Sequence, residues 1–114
     1  MPRRVTTLGF GLLLILGLLV HPIQGTAQSR FTGLADTTVT SAATLVRAAN
    51  ASRTALICTN TSATVAVRVG GSAVTATAGV QLRAATSLTI SGPYAVYMIS
   101  EGANVTVACS EELQ

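Results

Sequence analysis

The sequence predicts an all-β protein: a single small antiparallel β-sandwich, Ig-like or jelly-roll-like, with about seven short strands behind a signal peptide. Three observations predict this fold. Apolar and polar residues alternate along several short segments, as in half-buried strands. Turn residues recur at spacings of about 8–12 residues, which is typical of sandwiches. No segment after residue 27 carries helical apolar spacing over three turns.

The first 27 residues have the order of a secretory signal. Residues 3–4 are basic, residues 5–20 carry no charge, and residues 25–27 place small side chains where a signal peptidase acts. An uncleaved anchor is the alternative, but this run of 16 residues is shorter than the about 20 that a spanning helix needs. We therefore expect cleavage between Ala27 and Gln28. The mature protein would be secreted or periplasmic, and would meet the membrane only through the signal peptide.

Three segments follow the signal in order. Residues 28–36 are predicted as an N-terminal arm in which Phe31 and Leu34 are apolar anchors. Residues 37–110 are predicted as the β-sandwich, and residues 111–114 as an acidic tail.

The predicted strands share short length, β-branched content and flanking turn residues. In the clearest of them, Val65, Val67 and Val69 alternate with Ala66 and Arg68. Turns are expected at residues 60–63, 70–71 and 91–93. The strands are expected within residues 37–48 (one bent or two short), 54–60, 64–69, 79–83, 87–90, 94–100 and 103–110, with residues 72–78 an edge strand or a loop.

Two cysteines follow the signal, and both fall on the inward register of predicted strands. Cys58 shares a face with Leu56, and Cys109 shares a face with Val105 and Val107. A buried free cysteine is the alternative on register alone. An oxidising compartment and a count of only two thiols favour pairing. The sequence therefore predicts a Cys58–Cys109 disulfide.

The residues that most enzymes use are missing from the mature chain. It has no Lys, and the one His, His21, falls within the signal. The commonest general base and the Schiff-base nucleophile are therefore absent. Among the carboxylates, Glu111 and Glu112 are interpreted as a solubilising end with ordinary pKa values. Asp36 and Glu101 are then the remaining carboxylates that a catalytic pair could use. The sequence predicts no catalytic residues and no enzymatic activity.

Cofactor, metal and nucleic-acid binding are also unsupported. Two Cys without His are too few ligands for a typical zinc site, and no motif for a cofactor is present. The net charge of +3 includes two arginines of the signal, and the remaining five lie singly along the chain. Scattered arginines do not make a nucleic-acid surface. Arg use without Lys, with heavy Ala use, indicates a GC-rich bacterial coding sequence.

Two tyrosines are the candidate ligand contacts. Tyr94 and Tyr97 are three residues apart, so on one strand they would face opposite sides. We expect one in the core and the other at least partly exposed, where it could contact a partner or a sugar. An exposed aromatic without any function is the alternative.

Several of these segments together resemble a small β-sandwich module of bacteriophage virion proteins, found in head-decoration and fibre-like roles and as a tail-protein domain. The resemblance lies in residues 49–53, 55–71 and 91–100, and covers about residues 37–108. It implies a structural role without catalytic residues. Two features depart from that module: the export signal, and Cys58 at a position that is usually aliphatic.

The expected function is therefore an exported, non-enzymatic structural or surface-assembly module, decoration- or fibre-like, with a protein partner or self-association. The alternative is a secreted ligand- or carbohydrate-binding module that uses loops and an exposed Tyr on a surface glycan.

Overall fold

The protein is described by a computed structural model that covers residues 30–114, in which two antiparallel sheets pack face to face. The predicted signal and its cleavage point at Ala27 and Gln28 lie outside the described residues. Within residues 30–114 no helix is long and apolar enough to span a bilayer. The strands of this part are β1 Arg30–Gly33, β2 Thr37–Val39, β3 Thr44–Arg47, β4 Arg53–Asn60, β5 Val67–Gly70, β6 Val80–Leu82, β7 Ser87–Ser91, β8 Val96–Ser100 and β9 Val105–Leu113.

The strand order is that of a jelly roll. The first sheet runs β1-β9-β4-β7, with β2 also paired to β9, and the second runs β3-β8-β5-β6. The pairs β2–β9, β3–β8, β4–β7 and β5–β6 make one antiparallel ribbon. This ribbon rolls up so that its pairs alternate between the two sheets, as in other jelly rolls. The predicted all-β sandwich is confirmed, and the topology selects the jelly roll from the two alternatives.

The strand number differs from the seven expected for two reasons. The N-terminal arm contributes β1, which pairs with the end of β9. Residues 37–48 form two strands, β2 and β3, and these belong to different sheets. Strands of three or four residues carry too few alternations to be counted from sequence alone.

The core lies between the inner faces of the sheets. From Leu56 to Asn60 on β4 and from Val105 to Glu111 on β9 every second side chain is buried, because successive side chains of a strand point to opposite faces. Leu56, Val107 and Met98 are among the fully buried side chains. Met98 comes from β8, so both sheets contribute to one cluster.

The predicted disulfide is confirmed. Cys58 and Cys109 are direct partners on the neighbouring strands β4 and β9, with Cα atoms 4.1 Å apart. Both are buried. The bond therefore joins two central strands of one sheet and does not cross the sandwich.

The predicted boundaries are wrong at both ends of the domain. Glu111 belongs to β9, and residues 111–113 are not a tail. Because Cys109 points inward, the same alternation turns Glu111 inward, where it is 2% exposed. In the arm, Leu34 packs against the core as expected, whereas Phe31 is 64% exposed and anchors nothing.

Asn60 does more than begin a turn. Its side chain is buried at the end of β4 and donates hydrogen bonds to the carbonyl oxygens of Val65 (2.9 Å) and Leu82 (3.1 Å). Its Oδ1 accepts from the Ser62 N–H at 2.9 Å. One amide side chain thus holds the β4–β5 loop and the end of β6 together, which satisfies carbonyls that would otherwise be buried without a partner.

Candidate functional site: an apolar slot between two sheet edges

One side of the sandwich is closed and the other is open. On the closed side the chain crosses from β2 to β3, and the Ser100 N–H donates to the Thr40 carbonyl oxygen at 2.8 Å. On the open side, β7 and β6 are the outermost strands of their sheets in the part of the chain that the structure describes. Between them lies a pocket of about 420 Å³, which we call the slot. Its volume falls in the range of ordinary ligand sites.

Strand alternation makes the slot apolar. Leu88 and Ile90 on β7 share the inward face with Leu56 and Cys58 of β4, which are their cross-strand partners. The opposite wall is formed by Val69 of β5, by its partner Val80 on β6 and by Val96. Val80 is 58% exposed because no further strand of residues 30–114 lies beside β6.

The backbone of β7 presents an unpaired edge to the slot. The Asn60 N–H donates to the Thr86 carbonyl, and the Gly92 N–H donates to the Thr54 carbonyl. In an antiparallel pair the residues that bond the partner alternate with residues that face away from it. Thr89 and Ser91 therefore direct their N–H and C=O groups toward the open side, and both line the slot.

Tyr94 lies at the mouth of the slot and is 75% exposed. Its ring lies over Gly92, where an added Cβ would be 3.3 Å from the Cδ2 and Cε2 atoms of Tyr94. Gly92 also has a φ of 99°, which favours glycine. The turn after β7 thus sets the place of the exposed aromatic ring.

The second candidate contact, Tyr97, lies elsewhere. It is half-buried on the outer face of the second sheet, opposite Leu45 of β3. The structure therefore does not bring the two tyrosines together. The prediction that one of them is in the core is wrong, because Tyr94 precedes β8 and the alternation of that strand does not extend to it.

An ionic cluster supports the end of the sandwich next to the slot, with Glu111 and Arg53 buried and Arg47 partly exposed. The Arg47 guanidinium donates to both Glu111 oxygens, at 3.1 and 2.7 Å. Arg53, whose side chain is fully buried, lies 3.6 Å from the same carboxylate. It also donates to the carbonyls of Ala48 (3.1 Å), Gly92 (3.4 Å) and Tyr94. Arg53 therefore holds the turn that carries Tyr94.

Sequence reasoning missed this cluster. The arginines were expected to lie singly along the chain, and Glu111 was expected to belong to a solubilising tail with an ordinary pKa. In the structure the pKa of Glu111 is lowered, chiefly by the hydrogen bond from Arg47 and further by the charges of Arg47 and Arg53. The same hydrogen bond raises the pKa of Arg47. The sequence did contain a signal for the burial of Glu111: it lies two residues after Cys109, which was expected to point inward.

The lowered pKa of Glu111 predicts a loss of stability in acid. A carboxylate whose folded-state pKa lies below its unfolded value adds stability above the unfolded value, about 4.3, and loses it as pH falls through the folded one. We expect the melting temperature of the wild type to fall more steeply than that of Glu111→Gln between about pH 5 and pH 2. Calorimetry over a pH series measures both slopes, and equal slopes would contradict the prediction.

The slot is suited to binding rather than to chemical conversion. Among the residues that line it, the Tyr94 hydroxyl is the one ionisable group. In the described part of the chain no three acidic or cysteine side chains lie close enough to hold a metal ion. What the slot offers is an apolar interior beside a row of unpaired backbone groups.

Comparison with known proteins finds no matching family, curated protein or solved structure. Function is therefore inferred from the slot, the strand edges and the exposed apolar residues of this chain.

Proposed function

We propose that this chain is an exported, non-enzymatic structural module that takes part in a surface assembly by receiving an extended segment of a protein partner in its slot. The observation that carries the proposal is the apolar slot beside the free edge of β7. An extended segment can pair its backbone with such an edge and place alternate side chains into the adjoining pocket. The resemblance to decoration- and fibre-like modules agrees with this role.

The composition of the slot favours a protein segment over a sugar. Sugars carry many hydroxyl groups, and a site for them needs hydrogen-bonding side chains to replace water. The walls of the slot are instead formed by Val69, Val80, Leu88, Ile90 and Val96. Apolar side chains of a partner would be stabilised there by about 25 cal/mol for each Å² of apolar surface removed from water.

Export is supported by the disulfide, which is consistent with an oxidising compartment outside the cytoplasm. If the predicted signal acts, the exported protein begins at Gln28. N-terminal sequencing or the intact mass of protein recovered outside the cytoplasm checks this expectation. A product that keeps residues 1–27 in the membrane fraction would contradict it.

A carbohydrate-binding role is the second candidate, and the exposure of Tyr94 favours it. A ring that is 75% exposed can stack on the apolar face of a sugar. In that case the contact would be at the mouth of the slot, and the interior would stay unused.

Two substitutions separate these roles. Val80→Arg places a charge in the slot, and Tyr94→Ala removes the ring at its mouth. We expect the exported wild type to associate with itself or with a protein from its host surface, and Val80→Arg to weaken this association. Light scattering after size-exclusion chromatography and affinity capture measure it. A monomer with saturable glycan-array binding that is lost in Tyr94→Ala and kept in Val80→Arg would overturn the structural proposal.

A further inference from the structure

We infer that the occupant of the slot is strand β1 of a second copy of this chain, with Phe31 as the side chain that enters the pocket. The inference rests on the proposed function and names its partner. It begins from the exposure of β1, a strand that carries a large apolar side chain but buries none of its residues. All four of its residues are exposed, and Phe31 lies at 64%.

Strand β1 also has an unpaired backbone edge. It pairs with β9 on one side, and no strand of residues 30–114 pairs with its other side. Exposed strand edges of this kind are templates for pairing with another chain. The first sheet therefore ends in two free edges, β1 on one side and β7 on the other.

The residue pattern of β1 matches the surroundings of the slot. Phe31 and Gly33 share one face of the strand, and Arg30 and Thr32 share the other. A strand placed along the free edge of β7 would direct one face into the apolar slot. Its other face would lie beside the outward side chains of β7, the hydroxyl residues Ser87, Thr89 and Ser91.

The β1 strand of a molecule cannot enter that molecule's own slot. The Leu34 N–H donates to the Cys109 carbonyl at 3.0 Å, which fixes Leu34 at the β9 edge. From β1 to β7 are three strand spacings, roughly 14 Å. Phe31 is three residues before Leu34, and an extended chain spans at most about 3.6 Å per residue, or about 11 Å here. The occupant must therefore come from a second copy.

The faces of the strands define how the two copies meet. Phe31 is opposite Glu112, which points outward because the adjacent Glu111 points inward. Phe31 lies on the outer face of its own sheet, whereas the slot lies on the inner face of the neighbour's sheet. Phe31 can therefore enter the neighbour's slot only if one sheet is turned over relative to the other. Within one molecule, β1 and β7 run antiparallel. Turning one sheet over reverses its strand directions, so β1 runs parallel to the neighbour's β7. The contact joins different surfaces, and such contacts produce rings or open chains of copies.

Two variants that each retain one half of the contact test the inference. Phe31→Ala removes the inserted side chain and leaves the slot intact. Val80→Arg obstructs the slot and leaves β1 intact. Both positions are exposed, so neither change removes core packing. Leu45→Ala is the matched control, because Leu45 is also an exposed large apolar residue but lies on the outer face of the second sheet.

We expect the exported wild type to form concentration-dependent oligomers, and Leu45→Ala to match it. Phe31→Ala and Val80→Arg should each weaken association by about tenfold or more, the loss expected for one buried aromatic contact. Mixed together, they should form a one-to-one complex of twice the monomer mass, because each supplies the half that the other lacks. Light scattering measures the wild type, each variant and the mixture. Thr89→Pro, which removes an edge N–H, should behave as Val80→Arg does.

The outcomes distinguish a failure of this inference from a failure of the proposed function on which it rests. Oligomers that are unchanged by Phe31→Ala, or variants that fail to complement, would overturn the β1 contact and leave the structural role in place. A wild type that stays monomeric but captures another protein through the slot would do the same. A wild type that binds glycan alone would overturn both.

Discussion

Replacing Arg53 by Met should lower the free energy of unfolding by about 3–5 kcal/mol. Methionine is also long and unbranched and can fill much of the space, so packing is largely retained while the charge and the donors are lost. The guanidinium is fully buried and serves three carbonyls, those of Ala48, Gly92 and Tyr94. These three hydrogen bonds are part-buried, and a hydrogen bond from a charged donor contributes about 1.5–3 kcal/mol. Denaturant unfolding followed by circular dichroism measures the loss.

Arg68→Met is the control for this prediction. Arg68 donates to Glu101 at 2.7 Å, which is shorter than the 3.6 Å that separates Arg53 from Glu111, but the Arg68 pair is partly solvated. Exposed ion pairs contribute about 0–1 kcal/mol, so the loss should stay within that range. Equal losses in Arg53→Met and Arg68→Met would show that burial of the guanidinium does not decide the cost. Because Arg53 binds the turn that carries Tyr94, its variant should also alter the environment of that ring.

Removing the disulfide should cost about 4 kcal/mol. The bond closes a separation of 51 residues, and cross-linking a loop of that length restricts the unfolded chain by about this amount. For a domain of this size, each kcal/mol shifts the melting temperature by about 4–8 °C. The double variant Cys58→Ala with Cys109→Ala should therefore melt roughly 15–30 °C below the oxidised wild type.

Reductant supplies the control for the disulfide. Added to the unfolding experiment, it should bring the wild type down to the level of the double variant and leave the double variant unchanged. Both cysteines are buried, so the reductant acts once the protein has unfolded. A wild type that melts at the same temperature with and without reductant would contradict the prediction.

The sequence was most informative where one face of a strand is buried along its whole length. The valines of β5 and β9 alternate without a break, and the same alternation placed Cys58 and Cys109 on inward positions, so both the strands and the bond could be predicted. Register within a strand is a local property. The face to which each side chain points follows from whether residues two positions apart in the sequence are apolar or polar.

The ionic cluster and the slot could not be derived in the same way, because both depend on residues far apart in the chain. Arg47 and Glu111 are 64 residues apart and come from different sheets. The slot exists because two edge strands, β6 and β7, end their sheets without meeting. Phe31 was expected to be an apolar anchor of the arm, and only the topology shows that β1 lies at an edge.

The place of β9 constrains when this protein can fold. The strand nearest the end of the described residues is a central one: it pairs with β1, β2 and β4 and supplies Val105, Val107 and Cys109 to the core. All three of its partner strands precede it in the chain, so the first sheet cannot close until β9 has been synthesised and released from the ribosome. Pairing over such separations is also intrinsically slow. The nascent polypeptide therefore stays open until β9 is free, which is the state that the proposed export of an unfolded chain would require.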